Sequence, residues 1–140
     1  MSENRDFGER LLAQAFGFYL VAKRIAEADW PTPPWPLFFT NLGYAFELSL
    51  KAYIVAAGGT EADCISISHN LQEAHDRACN LGLTSSDDIA RVIGLIGPYH
   101  RDSSFRYLKH IPDNHLREFP DFPEALCVSD KLLQVVGGKF

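Results

Sequence analysis

Cysteine is scarce in this chain, and what there is has no pattern. Cys64, Cys79 and Cys127 are odd in number, far apart, and lack any metal-ligand spacing such as C-x-x-C, so they read as reduced, mostly buried thiols of a cytosolic protein. Long apolar runs are also missing. No stretch reaches membrane-spanning length without interruption, and Met1 to Arg10 is polar with no apolar leader core, which places the chain in the cytoplasm with no membrane partner. Basic residues are outnumbered. Thirteen Lys and Arg against eighteen Asp and Glu give a net charge of -5, which argues against a whole-surface nucleic-acid binder but leaves room for a local basic patch. Several motifs are absent as well: a phosphate loop, a dinucleotide Gly-rich turn, a G-x-S-x-G elbow, an H-E-x-x-H zinc helix and the Glu-x-x-His pairs of di-iron bundles. On spacing, no metal site and no cofactor are expected. There is no internal repeat.

What remains is an ordinary globular composition, 46% hydrophobic and 22% charged, in 140 residues, enough for one domain with a single core. Its apolar residues fall at helical spacing. Leu11, Ala15, Phe18, Ala22 and Ile25 mark an amphipathic helix from about Asp6 to Ala28. Trp30-Pro31-Thr32-Pro33-Pro34-Trp35-Pro36 then forces a stiff connector, its tryptophans packing onto the bundle end; a proline-rich ligand for another protein is the competing reading. A second helix, about Leu37 to Ala57, is nearly apolar all round and stops at Gly58-Gly59. Ser68 suits the N-cap of a third, with Leu71, Ala74, Ala78 and Leu81 as its inward seam and Gly82 at its end. Ser85 and Asp88, at capping-box spacing, open a fourth; Ile89, Val92, Ile93 and Ile96 form its apolar face, and Gly97-Pro98 ends it. Tyr99 to Pro120 is irregular, either a functional segment or an ordered wrap. A last helix spans about Phe122 to Val136. The expected fold is all-α, an antiparallel four- to five-helix up-and-down bundle.

Two concentrations of polar groups could carry chemistry. At about 100° per residue, Asn41, Tyr44, Glu47 and Lys51 crowd one face of the apolar second helix, with Glu47 and Lys51 at the i, i+4 spacing that favours an ion pair. The face is either a satisfied network or a polar cleft. The second concentration is Arg101, Arg106, Lys109 and Arg117 among His100, His110, His115, Phe105 and Tyr107, a mixture able to hold an RNA phosphate and stack a base. Its structural alternative has Arg106 pairing inward with Glu47, a buried pair orienting Tyr44 and Tyr107 toward a cleft. His69 could donate to a buried carboxylate or act as a general base.

Asn41 to Tyr53 with its Glu47-Leu48-Ser49-Leu50-Lys51-Ala52 core, the His69-Asn70-Leu71 helix start and Phe105-Arg106-Tyr107 together resemble HEPN-like domains, small helical bundles named for nucleotide binding in higher eukaryotes and prokaryotes. The resemblance runs from Leu37 to Leu108 and implies a helical bundle, commonly a homodimer. It also implies one of two roles: metal-independent ribonuclease in toxin, antiviral or RNA-processing systems, or non-catalytic partner of a nucleotidyltransferase or regulatory module. Catalytic members carry R-x4-6-H. Here Arg106 precedes His110 with only three residues between, which turns the expectation toward a non-catalytic binding or regulatory protein associated with nucleotide or RNA in a toxin-antitoxin or defence context. The alternatives are a ribonuclease using Arg106 and His110, and a protein-interaction module built on the Trp30 to Trp35 linker. The residues the resemblance singles out are Glu47, Lys51, His69, Asn70, Arg106 and Tyr107.

Overall fold

The second helical pattern forms the axis of the molecule. In the computed structural model, which describes residues 2–140 and so leaves Met1 of the polar N-terminal stretch outside the described residues, α2 (Trp35–Ala56) packs along α1 (Ser2–Glu27) and also against α4 (Leu71–Asn80), α5 (Asp87–Arg101) and α7 (Phe122–Gly137). Two short helices complete the fold, α3 (Glu61–Ile67) and α6 (Asp113–Leu116), and there is no strand among the described residues. The chain is therefore all-α.

Phe38, Leu42, Phe46, Leu50 and Ile54 of α2 are buried by the chain's own helices, so this apolar helix is covered within one subunit. Each such side chain contributes about 1.5–3 kcal/mol of burial free energy, so α2 is the thermodynamic centre of the fold. A second copy would have to meet other faces. The largest exposed apolar side chains of α1 are Phe16, Leu20 and Val21.

Several boundaries differ from expectation for local reasons. Pro36 sits in the first turn of α2, where the missing N–H has no partner to lose, so the helix begins inside the Trp-Pro stretch. Trp35 meets Phe105 edge to face, whereas Trp30 is half-exposed and donates from Nε1 to the Ile25 carbonyl at the end of α1. α3 replaces an expected loop, opened by a capping box in which Thr60 and Asp63 exchange side-chain and backbone hydrogen bonds. Asn70, not Ser68, is the N-cap of α4, its side chain accepting from Glu73 N–H. Leu81 is exposed and His75 takes its place on the inner seam of α4. The fourth helix starts after Ser86; Ser85 bonds His75 instead, and Asp88 accepts from Ser86 and from Ile89 N–H.

The most consequential departure is that α5 does not stop at Gly97-Pro98 but continues to Arg101. Proline removes one hydrogen bond and crowds the carbonyl four residues back and the Cβ of the residue before it. The residue before Pro98 is Gly97, so the conflict with a preceding Cβ is absent, and the helix passes through with one hydrogen bond lost and the Gly94 carbonyl crowded. From Asp102 to Pro120 the chain is an ordered wrap. Phe105 and Ile111 are buried, and Phe105 packs with Phe39 and Phe119 at centroid distances of 5.6 and 5.9 Å. Cys64 is buried, but Cys127 is exposed. No described helix is long and apolar enough to cross a membrane.

Candidate functional site

Glu47 is the centre of the one concentration of buried charge among the described residues. Its carboxylate, 4% exposed, comes from mid-α2 and lies under three donors from three parts of the chain. Lys51, one turn on, places Nζ 3.0 Å from Oε2; His69, from the α3–α4 turn, places Nδ1 2.8 Å from Oε1; and His100, from the last turn of α5, places Nε2 2.8 Å from the same Oε1. The division is sharp. One oxygen takes both imidazoles and the other takes the ammonium.

Each contributor has a local cause. Lys51 is held a second time by the Ser68 carbonyl, 2.7 Å from Nζ. Ser68 has φ +54°, a conformation usually left to glycine, in a turn closed by Asn70 N–H to the Ile67 carbonyl at 3.2 Å. This strained turn aims the Ser68 carbonyl at Lys51 and the His69 ring at Glu47. His100 reaches inward because α5 persists through Pro98, and it fits only because residue 43 is glycine: a Cβ there would stand 2.4 Å from His100 Nδ1. Tyr44 walls the cluster, its ring 4.9 Å from that of His100 and 5.9 Å from that of His69, centroid to centroid.

Burial alone would raise the Glu47 carboxyl. The hydrogen bonds from His100 and His69 and the charge and hydrogen bond of Lys51 outweigh it and hold the group down at about 2. The carboxylate is ionised at neutral pH and balanced by Lys51. His69 is the accessible edge, with its side chain 47% exposed against 4% for His100. Since Nδ1 faces the carboxylate, the free Nε2 of His69 is the group an outside molecule would meet.

The remaining sequence candidates are not drawn into this centre. The expected buried Glu47–Arg106 pair is not formed, because Arg106 is exposed with its guanidinium over the Tyr107 ring, 5.5 Å from the centroid, and Tyr107 is itself exposed. The structure puts His69, His100 and Lys51 where Arg106 was expected. Phe105 is the anchor, buried against Phe39, and this turns its neighbour Arg106 outward. Arg106 does line a small hollow with Thr40, Tyr44, Ser103 and His100. His110 is exposed in coil, with no hydrogen bond to Arg106 or Glu47 among the described residues. Asn41 gives its amide to the Leu37 carbonyl of its own helix, and Asn70 spends its oxygen on the cap. Arg101, exposed at the end of α5, borders a separate groove with Asn70, Gln72 and Asp102.

His100 is the residue that sequence reasoning left out of the cleft. Its signal was present, since it continues the Ile89, Ile93, Ile96 face four residues on, but was hidden by reading Pro98 as a stop. Comparison of the chain with family models, with curated proteins and with solved structures finds no match.

Proposed function

We propose that this chain is a HEPN-like binding or regulatory protein whose ligand is a nucleotide or RNA phosphate, met at the exposed edge of the Glu47 cluster. The observation that supports this is the preorganised centre: a buried carboxylate already holding Lys51, His69 and His100, with the half-exposed His69 ring at its rim. A ring held from behind by a carboxylate is fixed in direction before any ligand arrives, which lowers the ordering cost of binding. Arg106, lining the hollow beside Tyr44 and His100, supplies the cationic group that a phosphate requires, and Tyr44 an aromatic face. The homodimer and the nucleotidyltransferase partner belong to the same reading, as does a toxin-antitoxin or defence setting.

A second reading, metal-independent RNA cleavage, draws on the Glu47–His69 contact, since a carboxylate orienting an imidazole is the arrangement of a general base. It moves the proton shuttle from His110 to His69. One experiment serves both: fluorescence anisotropy and gel analysis of end-labelled RNA with the purified protein in EDTA. Binding that weakens about tenfold in Arg106→Ala and His69→Ala, without cleavage, supports the binding protein. Cleavage lost in His69→Ala and kept in His110→Ala supports the enzyme. RNA and nucleotides that neither bind nor are cut overturn both.

A further inference from the structure

The geometry points to a site for a divalent transition ion of zinc's class at Glu47, His69 and His100. The donor atoms of these three residues lie within 4.8 Å of one another, and they are one carboxylate oxygen and two imidazole nitrogens. That mixture suits zinc, cobalt or nickel, whereas calcium and magnesium take oxygen donors. Both nitrogens converge on the same oxygen. Nδ1 of His69 and Nε2 of His100 each stand 2.8 Å from Glu47 Oε1, so the two ring protons occupy the space between the donors.

With metal–ligand bonds of about 2.0–2.1 Å, tetrahedral coordination separates donors by about 3.3 Å, so each imidazole nitrogen needs to draw back from Glu47 Oε1 by about 0.5 Å, while the two nitrogens already lie within 4.8 Å of each other. His69 lies on a turn outside any helix and can make that shift. As ligands the two rings bind as neutral imidazoles, so the hydrogens on Nδ1 of His69 and Nε2 of His100 give way to the ion and the remaining ring proton of each sits on the opposite nitrogen. The half-exposed His69 edge leaves the fourth position to water or to an anion.

The surroundings resemble the outer shell that metal-ligating carboxylates keep. Lys51 holds the other oxygen, Oε2, at 3.0 Å and is fixed by the Ser68 carbonyl, so Oε1 alone faces the imidazoles. Lys51 also sets a limit. The cluster already contains one resident cation for its one carboxylate, so an added divalent ion leaves the site net positive and favours an anionic fourth ligand. A phosphate oxygen is such a ligand, though the metal site stands without the nucleotide or RNA reading.

The test uses the full chain, stripped with EDTA and dialysed free of it, with Cys127→Ser as background to remove the exposed thiol. Titration with Co²⁺ alone should give visible d–d absorption of tetrahedral intensity saturating at one ion per chain. Zn²⁺ at about a hundredfold over Kd should raise Tm by roughly 5–10 °C. His69→Ala removes the exposed ligand and leaves the buried ones paired; it should remain folded and bind Co²⁺ at least about a hundredfold more weakly, with Zn²⁺ no longer raising Tm. His100→Ala is the second variant, read by the same spectrum wherever circular dichroism shows it folded. Absence of one-to-one Co²⁺ binding, binding unchanged by His69→Ala, or a sulfur-to-cobalt charge-transfer band in the Cys127→Ser background would each overturn the assignment. RNA is in none of these measurements, so their failure and the failure of the phosphate-binding reading are separate results.

Discussion

Glu47→Gln keeps the shape of the side chain and removes its charge, and its cost can be worked from the site. In the folded protein the carboxyl sits at about 2, against an ordinary 4.5, because hydrogen bonds from His100 and His69 and the charge of Lys51 together exceed the burial penalty. A shift of that size is worth about 3 kcal/mol. Its pH dependence follows from the direction: the folded state binds fewer protons than the unfolded one between about pH 4.5 and 2, so the contribution is complete above pH 4.5 and is lost as pH falls through 2. In Glu47→Gln, Lys51 remains 7% exposed with only the Ser68 carbonyl as partner, and a buried pair broken from one side costs about 3–5 kcal/mol. The lower end applies, since Lys51 keeps its hydrogen bond to the Ser68 carbonyl.

At about 2.1 cal/mol/K of unfolding entropy per residue, a loss of 3 kcal/mol in 140 residues lowers Tm by about 10 °C at pH 7. Urea unfolding followed by circular dichroism, on wild type and variant from pH 7 to 2.5, is the assay. Subtracting one curve from the other cancels the exposed carboxylates common to both, and the gap should shrink from about 3 kcal/mol at pH 5 to about 1 kcal/mol at pH 2.5. A second cycle with Lys51→Met separates charge from packing: the double variant should recover most of the loss, because neither charge is then stranded. A gap that stays constant with pH, or a Tm unchanged at pH 7, would refute the account of Glu47 as an ionised, internally compensated centre.

Gly43→Ala should cost about 1–3 kcal/mol and shift the His100 imidazole resonances, because its Cβ would stand 2.4 Å from His100 Nδ1; unchanged resonances would contradict the packing. Ser68→Gly should be close to neutral in thermal melts, relief of about 1 kcal/mol of backbone strain being offset by a more flexible unfolded chain, whereas Ser68→Pro, with φ fixed near -65°, should destabilise by more than 2 kcal/mol. Arg106→Ala should change unfolding free energy by less than about 0.5 kcal/mol, since the side chain is exposed and bonded to no carboxylate among the described residues; a larger loss would revive an inward role.

The all-α class and the core faces of the helices were legible because they depend on periodicity along one segment. Ile89, Val92, Ile93 and Ile96 are buried as their spacing indicates, and so are Leu11, Ala15, Ala22 and Ile25. Within α2 the i, i+4 relation of Glu47 to Lys51 was equally local, and the pair forms. What failed was pairing between segments. Arg106 was a chemically reasonable partner for a buried carboxylate, but sequence holds no measure of which of several cations a wrap will turn inward. Phe105 decided it by entering the aromatic cluster.

The three donors of the proposed metal site were illegible for a related reason. Searches by spacing detect ligands that share a turn or a helix, yet Glu47, His69 and His100 come from a helix centre, a strained turn and a helix end. Each is unremarkable alone. They meet because three local irregularities coincide: glycine at 43 opens the space, Ser68 at φ +54° turns the chain, and Gly97 lets α5 run past Pro98. A packing irregularity normally costs stability, and a proline in a helix interior costs about 3 kcal/mol. Three of them aimed at one buried carboxylate mark this place as the part of the molecule where geometry is held against local preference, which is where function should first be sought.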